Sequence, residues 1–342
     1  MYRFLLICTS FLFSQISLAQ VTDSTDEEVI DYSSFGDAGG VKRYATQKII
    51  NQAPNRIVSI GYEYLGAFDM PNVPTYPDNS TRQTFNAQRL SGMRAQVNIP
   101  IVSNTKIIWQ MGANYWMSGV NFKAPSNNDF IATLQSYGMQ SAGINTTIFK
   151  PLNEKNFLIF QGSADINGVF KNFKDINSKA LTISGTAIYG WKTSDRNMFG
   201  FGVARTYRAG QVIHVPVVLW NKTFNDHWGM DLLLPARAHL RYNFSTSNIL
   251  QLGFELEGNQ FWMRTPSPNG EVFIQRGELK PRIMWDKKIT GFIWLNVQTG
   301  LRYNWRFDVM NQYNSRKEDL LFFNSKLTNP LYFNISLNFV SP

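Results

Sequence analysis

Polar and apolar residues alternate with period two over long stretches of this chain. From Ile293 to Phe307 one face reads Ile293, Leu295, Val297, Thr299, Leu301, Tyr303, Trp305 and Phe307. The other carries Asn296, Gln298, Gly300, Arg302, Asn304 and Arg306. Period-two alternation marks a strand with one apolar face, whereas a helix would scatter these residues around its circumference. The pattern recurs at Leu250–Glu257, Ala236–Phe244, Ile107–Ser118 and Leu158–Phe170, and Val272–Trp285 sets Arg276, Glu278, Lys280 and Arg282 on one side. Soluble strands usually run about five or six residues. These run roughly ten or more, the length a tilted strand needs to cross a bilayer.

Counting crossings predicts strands near 56–68, 83–102, 106–122, 131–150, 156–171, 180–192, 198–208, 212–224, 228–234, 236–244, 249–263, 272–285, 289–307 and 330–340. The fold expected is all-β, a single antiparallel up-and-down transmembrane barrel of about 14 strands, or 12 if the 228–244 hairpin, joined at Pro235, does not span. Short polar turns, such as Ser103–Thr105, Thr193–Asn197, Ser245–Asn248 and Asp286–Lys288, alternate with longer connections at 69–82, 123–130, 172–179, 264–271 and 308–329. Short periplasmic turns and long outer loops are the barrel arrangement. In the last strand Phe333, Ile335, Leu337 and Phe339 form an apolar row that resembles the C-terminal signal read by barrel-insertion machinery, although three residues follow Phe339.

The first residues change the compartment. Met1-Tyr2-Arg3, an apolar run from Phe4 to Phe13 and Ser17-Leu18-Ala19 make a secretory signal peptide over 1–19, with the cut expected after Ala19. Residues 20–55 fit no crossing and form either a periplasmic tail or a lumenal plug; the barrel domain is 56–340. The one cysteine, Cys8, leaves with the signal, so the mature chain has no disulfide or thiol chemistry. The formal charge of +9 falls to +8 with the loss of Arg3. The basic residues are scattered instead of clustered in runs, and the chain is exported, so nucleic acid is not an expected partner. Outer-membrane lipid is, and Trp, Tyr and Phe near strand ends suit interfacial girdles. Lysines near the short turns (Lys106, Lys150, Lys155, Lys192, Lys222, Lys287, Lys288) are expected to snorkel to headgroups.

The stretch Pro216–Phe244, with Phe224-Asn225-Asp226, Trp228-Gly229, Leu233-Leu234-Pro235 and Leu240-Arg241-Tyr242-Asn243, resembles an uncharacterised family of outer-membrane β-barrels known only as a domain of unknown function. The resemblance implies a single barrel domain in the outer membrane of a Gram-negative bacterium. It carries no activity or catalytic residue to this chain.

The chemistry-bearing residues are those assigned to the lumen face: Arg94, Arg237, His239, Arg241, Glu255, Glu257, Arg276, Glu278, Lys280, Arg282, Arg302 and Arg306. Two readings stand. Acids beside bases on adjacent strands form an ion-pair network that fills the interior, or the excess of bases makes a constriction for anions. His214 and His239 are assigned to the lumen and His227 to a turn, with no spacing that suggests a metal site or a catalytic set; no cofactor is expected. The functions that follow are a channel or uptake barrel for small polar or anionic solutes, a structural or surface-interaction barrel with a filled lumen and partner-binding loops at 69–82 and 308–329, and, third, a lipid-modifying enzyme.

Overall fold

The computed structural model describes residues 44–74, 82–123, 128–264, 270–310, 312–314, 320–322 and 327–341. The expected signal peptide and its cut after Ala19, residues 20–43, and parts of the loops at 69–82, 123–130, 264–271 and 308–329 lie outside the described residues.

Fourteen antiparallel strands close into one barrel. They are β1 (Arg56–Leu65), β2 (Arg82–Ser103), β3 (Ile108–Phe122), β4 (Met139–Pro151), β5 (Asn156–Val169), β6 (Leu181–Ser194) and β7 (Asn197–Thr206). Then come β8 (Ile213–Thr223), β9 (Trp228–Leu234), β10 (Arg237–Ser245), β11 (Asn248–Arg264), β12 (Glu271–Thr290), β13 (Ile293–Leu301) and β14 (Leu331–Val340). Beyond a break, β1 continues as Phe68–Pro74 and β13 as Tyr303–Met310. Each strand pairs with its sequence neighbours. The ring shuts where β1 pairs β2 on one side and β14 on the other, with Ser59 opposite both Gln96 and Asn338. The β9–β10 hairpin is bonded into the wall on both flanks, which gives fourteen strands and not twelve.

Alternation sorts the faces. Ile60, Met93, Ile144, Ile183, Phe201, Val203, Leu252, Ile283 and Leu331 stand exposed on the outside. A contiguous apolar exterior of this kind on a closed barrel is a lipid-facing surface. At the short-turn end it gains a girdle: Tyr189, Trp191, Phe199 and Phe201 pack ring to ring, as do Trp228, Tyr242 and Phe244. Indole N–H groups there find amide partners, Trp220 Nε1 donating to Asn197 Oδ1 at 3.0 Å and Trp285 Nε1 to Asn248 Oδ1 at 2.7 Å.

Two expectations are corrected. The strand expected over 131–150 begins at Met139, because residues 129–137 form a helix, α1 (Asp129–Tyr137). Asn128 Oδ1 accepts from the N–H groups of Phe130 and Ile131, capping its start, and Gly138 ends it at φ +63°, where a side chain would be strained. Phe130, Ile131 and Leu134 share one buried face, which tertiary packing selects over strand pairing. The turn expected at Asp286–Lys288 lies instead at Gly291–Phe292. Gly291 adopts φ +46°, and Asp286 belongs to β12, buried.

The barrel is closed at its long-loop end by an apolar core. Leu65, Phe68, Leu90, Val120, Ile131, Leu134, Phe261, Met263, Ile274, Phe307 and Val309 pack there. It forms because β9 and β10 stop early, at seven and nine residues, while β11 and β12 run to 17 and 20. Past Leu256, β11 has lost its β10 neighbour. Its outer end reaches β5 across the lumen, with Trp262 opposite Gly168 and Met263 opposite Val169. The connection 207–212 fills the seam left above the short hairpin. Arg208 donates to the Leu256 carbonyl, Val212 N–H to Asn314 Oδ1 at 2.9 Å, and the Tyr207 and Tyr313 hydroxyls bond each other.

Candidate functional site: a polar chamber between two closures

The short-turn end is stoppered by residues 44–55. Ala45 and Ile49 insert among Phe149, Phe157, Ile188, Met198, Val217 and Leu219, all apolar residues on inward positions of β4 to β8. Hydrogen bonds tie the segment across the floor. Ala45 N–H donates to the Asn153 carbonyl at 3.0 Å and Ile50 N–H to that of Asp195 at 2.8 Å. Gln52 Nε2 reaches Asp231 Oδ1 at 2.9 Å, Asn243 Nδ2 the Asn51 carbonyl at 2.9 Å, and Thr223 Oγ1 the Ile50 carbonyl at 2.7 Å. Residues 44–55 thus lie within the short-turn end of the barrel, bonded to its wall. Lys192 does not snorkel: it points inward, is buried, and donates to Thr46 and to the Lys48 carbonyl. Lys48 donates to the Ala53 carbonyl at 2.8 Å, and burial pushes its pKa down to about 8, against the opposing pull of Asp231.

One side of the lumen is filled by charge. Arg94 meets Glu63 at 3.1 Å and Glu257 at 3.0 Å. Lys280 meets Glu257 at 2.8 Å, Glu63 at 3.6 Å and Glu278 at 3.7 Å. Glu278 takes two 2.6 Å bonds from Arg276 and lies 3.4 Å from Arg302. The cations also sit over rings, Arg276 on Trp116 at 4.8 Å, Lys280 on Tyr332 at 4.7 Å and Arg302 on Phe68 at 4.7 Å. Satellite pairs join Arg282 to Glu255, Arg241 to Asp231 at 3.0 Å and Arg56 to Asp286 at 2.9 Å. Charges this deep persist only when paired and hydrogen-bonded.

Some residues depart from the expected faces. Arg237 stands opposite Glu255 in register but forms no ion pair among the described residues, because Glu255 turns to Arg282. Arg306 leaves the lumen set. The register slips between Gly277 and Glu278, so Phe307 stands opposite Arg276 and joins the apolar core. Arg306 is turned to the other face, bonded to Asp308 at 2.9 Å and to the Ala209 carbonyl at 3.3 Å. His239 is inward and buried. His214 is exposed on the outward parity of β8, and His227 Nδ1 contacts the Asn243 carbonyl at 2.8 Å.

The other side of the lumen is open. A cavity of about 630 Å³ lies between Gln47 of the plug and Trp116 and Phe261 below the apolar core, lined by β2 to β7, the 207–208 corner and β11–β12. This is within the range of about 300–1,000 Å³ usual for small-molecule sites. Its charged lining is four arginines (Arg94, Arg205, Arg208, Arg276) and two carboxylates, Asp165 and Glu257. Asp165 is held by Asn114 Nδ2 at 3.0 Å and Ser163 Oγ at 2.9 Å. The period-two pattern had placed Gln110, Asn114, Gln161, Ser163 and Asp165 away from lipid, but only the closed ring shows that they converge. Arg208 is not among the sequence candidates, although it ends the strand expected over 198–208; the strand stops at Thr206 and Arg208 falls in the connection that follows. A second hollow of about 650 Å³, between 174–179 and Trp262, Arg264 and Glu271, is a shallow surface groove whose Lys179 and Glu271 pair with each other.

A model of the domain family of unknown function designated DUF6268 matches residues 47–340. The chain belongs to this family. No curated protein matches it. Among solved structures it is similar to a Pseudomonas aeruginosa FadL homologue, at 11% identity and TM-score 0.41 over 83% of this chain and 90% of that one. It is also similar to the Pseudomonas putida toluene transporter TodX, at 10% identity and TM-score 0.33 over 86% and 94%. A mutant Rhodopseudomonas blastica porin matches at 8% identity and TM-score 0.27 over 82% and 99%. At such values the likeness extends to the barrel type alone.

Proposed function

We propose that this DUF6268 chain is a gated outer-membrane barrel that admits a small polar solute to its lumenal chamber. The single observation that carries the reading is a polar cavity of about 630 Å³ lying between two apolar clusters, one around Ile49 of the plug and one around Phe261 of the outer core. The plug faces the periplasm and the apolar core faces outward, since the short turns, the start of β1 at Arg56 and the end of β14 at Val340 lie on the plug side. Residues 1–19 direct export and are removed after Ala19. The outward row Phe333, Ile335, Leu337 and Phe339 is what the insertion machinery reads. Fourteen strands lie between the eight that side chains fill and the 16 to 18 that leave an aqueous channel. A half-filled lumen fits that size.

The test is single-channel conductance in planar bilayers. The wild type should be mostly silent, and Ile49→Asp, which puts a charge among Phe149, Phe157 and Leu219, should unseat the plug and give discrete ohmic steps. A second reading, a structural barrel with a filled lumen, is favoured by the ion-pair cluster on Glu278 and Lys280. A plug variant that folds and stays silent would establish that reading. A wild type that conducts steadily would overturn both closures.

A further inference from the structure

The two halves of the lumen use their polar groups differently. On the charged side each carboxylate is held by a base: Glu63 by Arg94, Glu257 by Arg94 and Lys280, Glu278 by Arg276 and Glu255 by Arg282. On the chamber side Gln96, Gln110, Asn145, Thr147, Gln161 and Thr186 all line the cavity, and none of their side chains bonds another described residue. All six occupy inward positions on five consecutive strands, β2 to β6, so they form a continuous wall of uncommitted amides and hydroxyls. Amides and hydroxyls offer donors and acceptors together, which is the complement of a molecule carrying several hydroxyls.

The facing wall supplies charge. Arg208 makes no ion pair among the described residues. One arm of its guanidinium holds the Leu256 carbonyl and the rest is open to the chamber. The carboxylate beside it, Glu257, is committed to Arg94 and Lys280. Arg276 is likewise committed to Glu278. Arg205, the other lining base outside any ion pair, spends both guanidinium arms on the Ile183 carbonyl and the Tyr207 hydroxyl, which leaves Arg208 with the most donors free, and a guanidinium matches a carboxylate in planar, two-bond geometry. Trp116 adds an apolar edge beneath the outer closure, and its Nε1 has no hydrogen-bond partner among the described residues.

We propose that the chamber binds a sugar acid: a polyhydroxylated molecule of one or two rings bearing a carboxylate. The hydroxyls lie on the wall of β2 to β6 and the carboxylate on Arg208. The assignment rests on the chamber being the solute site, and it names the class of solute. It explains why the lumen keeps hydrated amides on one side while the other side is filled. An apolar solute would strip those amides of water without replacing it, at a cost for each unpaired group.

The experiment is calorimetric titration of the folded, full-length protein in a detergent without a sugar headgroup, with the Ile49→Asp variant used to give access. D-glucuronate, D-glucose and acetate are the probes. Glucuronate should bind about tenfold or more tighter than either of the others, since each lacks one half of the recognition. Arg208→Gln should bring glucuronate down to the level of glucose and leave glucose unchanged, a ratio that a merely structural role for Arg208 would not move. Gln161→Leu, on the opposite wall, should weaken both sugars and spare the ratio. Acetate binding as tightly as glucuronate would leave only an anion site, and glucose binding as tightly would remove Arg208 from recognition. Either overturns the proposal, as does the absence of heat from a folded, conducting variant. In that last case the conductance would leave the gating reading intact, whereas a folded variant that neither conducts nor binds would overturn both.

Discussion

Replacing Glu278 with Gln should unseat the charged half of the lumen while keeping its volume. Glu278 is fully buried and answers three cations: Arg276 through two bonds of 2.6 Å, Arg302 at 3.4 Å and Lys280 at 3.7 Å. Lys280 retains Glu63 and Glu257, but Arg276 and Arg302 keep only their rings, Trp116 and Phe68. Breaking a buried pair from one side costs about 3–5 kcal/mol, because the remaining charge stays desolvated without compensation. Two charge-assisted bonds lost at about 1.5–3 kcal/mol each give about 3–6 kcal/mol, which overlaps that range. E278Q should therefore lose about 4 kcal/mol. Adding Arg302→Met removes one stranded cation and should restore about 1–3 kcal/mol, so the double variant is more stable than the sum of the singles implies. Urea unfolding from detergent or liposomes measures the midpoints, and heat-modifiable gel mobility confirms that each barrel folds. A loss below about 1 kcal/mol in E278Q, or strictly additive effects, would refute the assignment of Glu278 as the shared counter-ion.

Lys48→Met should hold the plug more tightly near neutral pH. The seated lysine has a pKa of about 8 against 10.5 when released, so the released form binds more protons between those values and seating strengthens as pH rises through that window. The burial penalty below pH 8 is about 3 kcal/mol; open probability should fall from pH 7 to 10 in the wild type and stay flat in K48M. Gly202→Val should not fold, because a Cβ on this inward position would collide with the Ala187 carbonyl, which is backbone and cannot yield; equal yields of heat-modifiable protein would contradict the register of β6 and β7. Phe339→Ala should slow membrane assembly while deletion of residues 340–342 does not, as read from the fraction of fast-migrating band over time. Intact mass of the exported protein should place its first residue at Gln20.

The barrel was legible because its rule is local. A strand in a membrane barrel reveals its two faces within its own residues, so Ile293 to Leu301 or Leu331 to Phe339 can be sorted with no knowledge of any neighbour. The departures occur where a non-local event changes the rule. Residues 129–137 carry an N-cap and a terminating glycine in Asn128 and Gly138, yet what makes them a helix is the apolar core at the long-loop end, assembled from strands far away in the chain. Arg306 and Phe307 would keep the faces that alternation gives them but for one extra residue, Trp305, between the partners of Glu278 and Gly277, a bulge that shows only once the strand is paired.

The candidate site was less legible, for the same reason carried further. Register alone would pair Arg237 with Glu255, its direct opposite. The observed partner is Arg282, diagonal on the other neighbour, and Arg94 finds Glu257 163 residues away across the lumen. Choices among several bases for one acid depend on which side chain is also held elsewhere, and that is settled by the closed ring. The chamber is the residue of those choices: once Glu63, Glu257 and Glu278 are taken by Arg94, Lys280, Arg276 and Arg302, the connection 207–212 brings one more arginine to a wall with no acid left. The length difference between the β9–β10 hairpin and β11–β12 therefore does more than shape the rim. It opens the seam that 207–212 fills, and so places Arg208 in the lumen. Lengthening that hairpin by two residues on each strand should displace 207–212 from the seam. Sugar-acid discrimination should disappear while the barrel, the plug and the Glu278 cluster remain, and retention of that discrimination in a folded variant would show that the seam does not position Arg208.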